Sequence, residues 1–257
     1  QHSRGMGGAR AGEHAMTARF HVPEAAPGAR VSLPEWSAHH ARDVLRLRPG
    51  DAVRVFDGEG HEFEATLDSV TRKGVEARLG SSVPARRESP LALVLAVSPL
   101  KGDRMELVIQ KATELGVAEI WPVVTVRTDA AARPALRGTR HERWDKVASG
   151  AAEQCGRAVV PRLAPTMTLQ ECLARPFDGA RLLFLETEGP PPLASFAPRP
   201  ERLLLLIGPA GGFEASEVER LLAGGFRAVS LGPRVLRAET AAVAAVTLAQ
   251  GLWGDLG

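Results

Sequence analysis

The sequence predicts an α/β protein in two parts: a small antiparallel β-sheet or barrel, then a larger unit built on a mostly parallel sheet with helices on both faces. Three observations carry that expectation. Before residue 82 apolar and polar residues alternate with a period of two, and glycine-rich turns separate the runs. After residue 90 continuous aliphatic runs alternate with amphipathic helical stretches, the pattern of a sheet covered on both sides. Between them "SSVPARRESP" (81–90) is polar, bounded by prolines and without periodicity, which places the boundary there. The expected units are residues 18–84 and 90–257.

In the first unit Val53 and Val55 alternate with polar neighbours, "DGEG" (57–60) turns the chain, and Phe63, Ala65 and Leu67 alternate again. After "TRKG" the pattern returns at Val75, Ala77 and Leu79. "SAHHARDVLRL" (37–47) interrupts these strands as a short helix with Ala38, Ala41, Val44 and Leu45 on one face. The second unit opens with "LALVLAV" (91–97), a strand without a polar face. "GDRMELVIQKATELG" (102–116) follows as a helix, with Met105, Val108, Ile109 and Ala112 as its stripe and Gly116 as its stop. "EIWPVVTV" reads as a strand. "RHERWDKVASGAAEQCG" reads as a helix burying Trp144, Val147, Ala148, Ala151, Ala152 and Cys155. Strands "RLLFLE" and "RLLLLIG", a helix over 215–223, strand "RAVSLG" and a helix from about Ala238 to Trp253 complete the alternation.

The bulk numbers fit a globular chain: 257 residues, 44% hydrophobic and 24% charged. No apolar run approaches the roughly 20 residues that span a bilayer. "QHSRGMGGARAGEHA" has no apolar segment and reads as a leader, with Met16 the natural start. Two cysteines, Cys155 and Cys172, lack metal-site spacing and cannot build a disulfide framework, so a reducing cytoplasm and no metal are expected. The net charge is +2 and arginine outnumbers lysine. That bias suits phosphate contact and equally follows from genome composition.

Parallel sheets bind ligands beyond the carboxyl ends of their strands. Three such ends are distinctive: "FLETEG" (184–189), "IGPAGGF" (207–213) and "SLGPRVLRAET" (230–240). The glycine loop lacks the Gly-Lys-Ser/Thr of a phosphate cradle, carrying Phe213-Glu214 instead, and no dinucleotide fingerprint occurs. It therefore suits a ligand of little negative charge held by main-chain groups, or else it is a tight turn that holds nothing. In the last loop Glu239 and Thr240 suit a helix N-terminus, whereas Arg237 suits a carboxylate or phosphate.

The pair "IGPAGGFEASEVE" and "LGPRVLRAETAAVAA" resembles the C-terminal signature of bacterial 16S ribosomal RNA uracil-N3 methyltransferases, of the SPOUT (knotted) class. "KGDRMELVIQKATELGV" and "AAEQCGR" resemble that family's central motifs. "RFHV" with "HHARDVLRLRPGD" is similar to its N-terminal PUA-like RNA-binding barrel. The resemblance implies S-adenosyl-L-methionine as cofactor, a C-terminal trefoil knot and a homodimer with its active site near the interface. The cofactor residues it implies are Leu185, Glu186, Ile207, Gly208, Pro209, Gly211, Gly212, Leu231, Gly232, Leu236, Thr240 and Ala241. One departure stands out: the family often carries an acidic residue where this chain has Ala210.

The implied reaction is methylation of N3 of a uridine in small-subunit ribosomal RNA, on an assembled particle. Arg237 is the expected cation beside the uracil oxygens, with Arg127 or Arg157 in reserve. Glu153 or Glu239 is the expected proton acceptor, although Glu153 also fits a plain helix face. An RNA footprint is expected from Arg127, Arg133, Arg137, Arg140, Arg143, Lys146 and Arg157, and from Arg42, Arg46 and Arg48 beside His39 and His40. A solvated, ion-paired helix face is the competing reading of the first group. A SPOUT enzyme acting on another RNA position or on ribose, and a non-catalytic RNA-binding module, remain open as rivals.

Overall fold

The computed structural model describes residues 17–130, 139–186 and 189–257. The expected leader with Met16, Arg133, Arg137, and positions 187–188 of the first strand-end loop lie outside the described residues.

The first sheet contains β1 (Arg19–His21), β2 (Arg30–Ser32), β3 (Ala52–Phe56), β4 (Glu62–Thr71) and β5 (Gly74–Val83), in the order β1-β3-β4-β5-β2. The alternating residues read from the sequence point to one side. Val53, Val55, Phe63, Leu67, Val75 and Leu79 pack with Phe20, Ala38 and Ala41. The sheet is not wholly antiparallel, because β1 runs parallel to β3. A crossover connection separates the two, as a parallel pair requires.

That crossover contains α1 (Glu35–His39), which continues into a π-helical turn at His40–Val44. The Leu45 N–H donates to the His40 carbonyl at 2.9 Å, five residues back. This wider turn breaks the 3.6-residue phase on which the expected face rested. Ala38 and Ala41 are buried as expected, but Val44 is 59% and Leu45 42% exposed.

The second sheet follows the order β12-β10-β11-β6-β7-β8, with β9 beside β7, and every pairing is parallel. Its strands are β6 (Ala92–Val97), β7 (Glu119–Val124), β8 (Arg162–Leu163), β9 (Met167–Thr168), β10 (Ala180–Phe184), β11 (Arg202–Ile207) and β12 (Arg227–Val229). The helices are α2 (Arg104–Glu114), α3 (Thr139–Cys155), α4 (Leu169–Ala174), α5 (Ala215–Ala223) and α6 (Ala238–Trp253). Central β11 explains the unbroken aliphatic run. Leu203, Leu205 and Ile207 face the layer of α2, α3 and α6, while Leu204 and Leu206 face α4 and α5. The elements missed by periodicity are β8, β9 and α4. The last is fixed by a capping box in which Thr168 and Glu171 satisfy each other's backbone N–H.

The two sheets meet at the C-terminal end of α3. Arg19 pairs with Glu62 at 2.9 Å and donates to the carbonyls of Ala152 and Arg157. Phe56 packs against Ala152 and Ala158. Among the described residues no helix is long and apolar enough to cross a membrane.

Candidate functional site

Strands β10, β11 and β12 lie side by side and stop at nearly the same level, with Phe184 opposite Val229 and Leu183 opposite Leu206. The three chains then diverge as loops. Between them opens a cavity of about 640 Å³, of a size for a small cofactor. Phe184, Ile207, Val218, Leu231, Leu236 and Ala241 supply apolar walls, and Glu186, Glu219, Arg127 and Arg234 supply charge.

Two glycines have definite steric reasons. A Cβ on Gly208 would stand 2.6 Å from the Phe213 ring, so the bare backbone is what lets that ring fold over the loop. Gly232 has φ +101°, in the left-handed region that other residues enter only with strain.

The glycine loop is fastened from below. Glu217 is buried, and its two oxygens accept from different segments: the Val126 N–H at 2.9 Å and the Glu214 N–H at 3.0 Å. It thus ties the chain after β7 to the start of α5. Arg127 adds a second fastening by donating to the Gly211 carbonyl at 3.0 Å. The loop after β12 is held by the Ser230 N–H on the Pro191 carbonyl and by the Leu193 N–H on the Ser230 carbonyl.

Of the residues named from sequence, Leu185, Glu186, Ile207, Gly208, Pro209, Gly212, Leu231, Gly232, Leu236 and Ala241 line this cavity. Gly211 and Thr240 do not. The first turns its carbonyl to Arg127, and the second is exposed in the first turn of α6. Ala210 is exposed on the loop. Arg237 is the exposed N-cap residue of α6, one position beyond the wall residue Leu236. Glu239 follows in the first helical turn, 3.6 Å from Arg104.

Two expectations are corrected by burial. Arg157 is 8% exposed. Its Nε lies 3.0 Å from Glu88, and its Nη1 donates to the carbonyls of Thr113 and Val117. A guanidinium so enclosed braces Glu88 against the end of α2, and it does not line the cavity. Glu153 lies in the joint between the sheets, where it accepts the His21 N–H at 2.8 Å and the Ser37 hydroxyl at 3.3 Å. Burial pushes its carboxyl up to about 7, against the opposing pull of those two bonds and of Arg19. It takes no part in the cavity wall.

The other basic candidates are spread out. Arg42 pairs with Asp43, and Arg46 is exposed on the first unit. Arg143 pairs with Glu106 at 2.7 Å, and Lys146 is exposed on α3. Sequence reasoning missed the wall residues Phe184, Phe213, Val218, Val235 and Ala238, and the rim residue Glu219. Phe213 had a legible signal, since the residue closing a glycine loop is the one able to fold back over it. Glu217 had one too: a glutamate three residues after Glu214 completes a capping box.

Residues 87–250 match the family model described as an RNA methyltransferase domain, and residues 36–80 match an RNA methyltransferase PUA domain. The chain is 32% identical over 224 residues to the ribosomal RNA small subunit methyltransferase E of Bacillus subtilis (strain 168), covering 84% of this chain and 88% of that protein. It is 34% identical to the Synechocystis protein of the same name, covering 88% and 74%. Among solved structures, a Legionella pneumophila methyltransferase in complex with SAM superposes with a TM-score of 0.87 at 36% identity, covering 93% of this chain and 99% of that one. A ribosomal RNA small subunit methyltransferase E from Neisseria gonorrhoeae bound to S-adenosyl methionine gives 0.84 at 34% identity, covering 94% and 100%.

Proposed function

The chain belongs to the RNA methyltransferase family that includes the ribosomal RNA small subunit methyltransferases E, and from that membership we propose how its own residues serve the reaction. It is a SAM-dependent methyltransferase of small-subunit ribosomal RNA, a SPOUT-class α/β domain joined to a PUA-like unit. The observation that carries the reading is the cavity at the ends of β10, β11 and β12, whose walls are main chain and aliphatic side chains. S-adenosylmethionine would supply an activated methyl group on a sulfonium. The residues present fit it. Ile207, Leu231 and Leu236 would sandwich the adenine. Main-chain groups of the loops that begin at Gly208 and Leu231 would offer uncharged hydrogen bonds to its edge, and the carboxylates of Glu186 and Glu219 tolerate a cationic donor.

The finer reading is methylation at N3 of a uridine, on the assembled small subunit, by a cytoplasmic homodimer. It is supported by the likeness of the two C-terminal loops to the uracil-N3 signature. N3 of uracil is a weak acid, so the anion formed on its deprotonation needs a neighbouring cation. Arg237, exposed in the chain between the wall residues Leu236 and Ala238, takes that role. Glu239 in the same helical turn takes the proton, and Arg104 orients it. Glu153 is left to the joint between the sheets. In-line alignment of N3 and the methyl group supplies the larger part of the acceleration.

The experiment is mass mapping of modified nucleosides in small-subunit ribosomal RNA from a deletion strain and its complemented parent. The expected result is one N3-methyluridine lost on deletion and restored by the gene. Loss of a different modified nucleoside would assign the enzyme to that position instead. An unchanged nucleoside map would refute the reading.

A further inference from the structure

At the opposite edge of the same strands the chemistry reverses. Arg181 stands near the start of β10, Arg202 begins β11 and Arg227 begins β12. Because these strands are parallel neighbours, residues far apart in the chain emerge at one edge. With Arg199 they line a groove of about 450 Å³. Phe196 lines the groove as well, and each of three arginines lies over a ring: Arg202 is 5.2 Å from the Phe177 ring centroid, Arg227 is 5.3 Å from that of Phe196, and Arg181 is 5.8 Å from that of Phe226.

The four guanidinium groups are poorly neutralised. Asp178 and Glu201 also line the groove, yet among the described residues none of the four arginines comes within ion-pair distance of a carboxylate. Arg199 donates to the Trp253 carbonyl at 2.6 Å, and Arg181 makes long contacts to the Arg175 and Phe177 carbonyls. Arg202 and Arg227 are both exposed, and their side chains donate no hydrogen bond among the described residues. The guanidinium groups of Arg202 and Arg227 lie over rings, and their N–H donors stay available for phosphate oxygens.

We propose that this groove is a second binding surface, one that takes phosphodiester groups of the RNA substrate while the opposite edge holds the methyl donor. The proposal rests on the reading of the chain as an enzyme of small-subunit ribosomal RNA. Phosphodiester is the favoured ligand because the donors are forked, close together and spaced along an open groove. A strand rise of about 3.3 Å per residue puts the two edges within one strand length of each other. A large folded RNA can therefore touch both.

The test compares the full-length chain with Arg202→Met/Arg227→Met, which keeps an unbranched apolar side chain at each position and removes both charges. Binding to deproteinised small-subunit ribosomal RNA is measured over a range of potassium chloride concentrations, and cofactor affinity is measured by calorimetry. The expected result is RNA binding weakened about tenfold at moderate salt. The log–log salt slope should be shallower by about 0.7 to 0.9 for each lost phosphate contact. Cofactor affinity stays unchanged. Arg202→Lys/Arg227→Lys keeps the charge, so its slope should stay near that of the parent while affinity falls modestly, which separates the charge from any loss of packing. A Met pair with parental affinity and slope would overturn the groove and leave the enzymatic reading standing. So would a defect seen only with intact subunits, which would assign the surface to a ribosomal protein. A parent chain that neither binds this RNA nor methylates intact small subunits would remove both.

Discussion

The two edges of β10, β11 and β12 differ in what they present, although the strands between them are the same. At the carboxyl edge the chain offers glycine, aliphatic walls and main-chain groups around a cavity. At the amino edge it offers a groove of arginines, of which Arg202 and Arg227 are exposed and lie over phenylalanine rings. The first suits a small ligand of neutral to cationic charge, the second a polyanion. A parallel sheet gathers every strand start at one edge and every strand end at the other. A single scaffold thereby keeps two chemistries apart without a second domain.

Several changes sharpen or break this contrast. The largest effect is expected at Arg237, the cation assigned to the reacting base. Arg237→Ala should cut turnover by about 100-fold or more while steady-state cofactor affinity and the RNA salt slope hold. Equal losses in turnover and cofactor affinity would move Arg237 from the reaction to the cavity wall. Next is Glu153, which lies at neither edge. Its carboxyl ionises near 4.5 in an unfolded chain and near 7 in the folded one. Between those values the folded protein holds a proton that the unfolded chain releases. Stability should therefore fall as pH rises across that window, by on the order of 3 kcal/mol, and then level off. Urea unfolding at pH 5 and 8 reads this directly. Glu153→Gln should flatten the dependence without touching either ligand at a single pH.

Two smaller effects belong to the carboxyl edge alone. Gly232→Val forces a branched residue to φ +101°, and a strain of about 1–3 kcal/mol should appear in calorimetry as a roughly tenfold to hundredfold loss of cofactor affinity. Glu217→Gln replaces one of two acceptor oxygens by a donor facing a donor. Cofactor binding should weaken by about tenfold, as expected for a lost charge-assisted hydrogen bond, with far-ultraviolet circular dichroism unchanged. If either variant altered the RNA salt slope as strongly as cofactor affinity, the two edges would not be independent.

What the sequence revealed follows from the range over which each signal acts. The strands of the second sheet were legible because burial on both faces writes an unbroken run such as "RLLLLIG". The loops were legible because glycine and proline mark them. The two-residue strands β8 and β9 are too short to show a period. The π-turn at His40–Val44 changes the period within one helix, so Val44 and Leu45 were assigned to the wrong face. Charged side chains were the least legible. Arg157 and Arg237 look alike in sequence, yet one is enclosed by Glu88 and two carbonyls and the other is exposed at a helix start. The arginine groove was invisible because Arg181, Arg202 and Arg227 become neighbours only through the parallel pairing of their strands.

The central claim, that bare main chain at three strand ends embraces the methyl donor, is tested most directly by a crystal structure of the chain with S-adenosylmethionine. The expected structure has the adenine between Ile207, Leu231 and Leu236, with its edge hydrogen-bonded to backbone of the loops that begin at Gly208 and Leu231. A donor lodged elsewhere, with this cavity empty, would contradict the account.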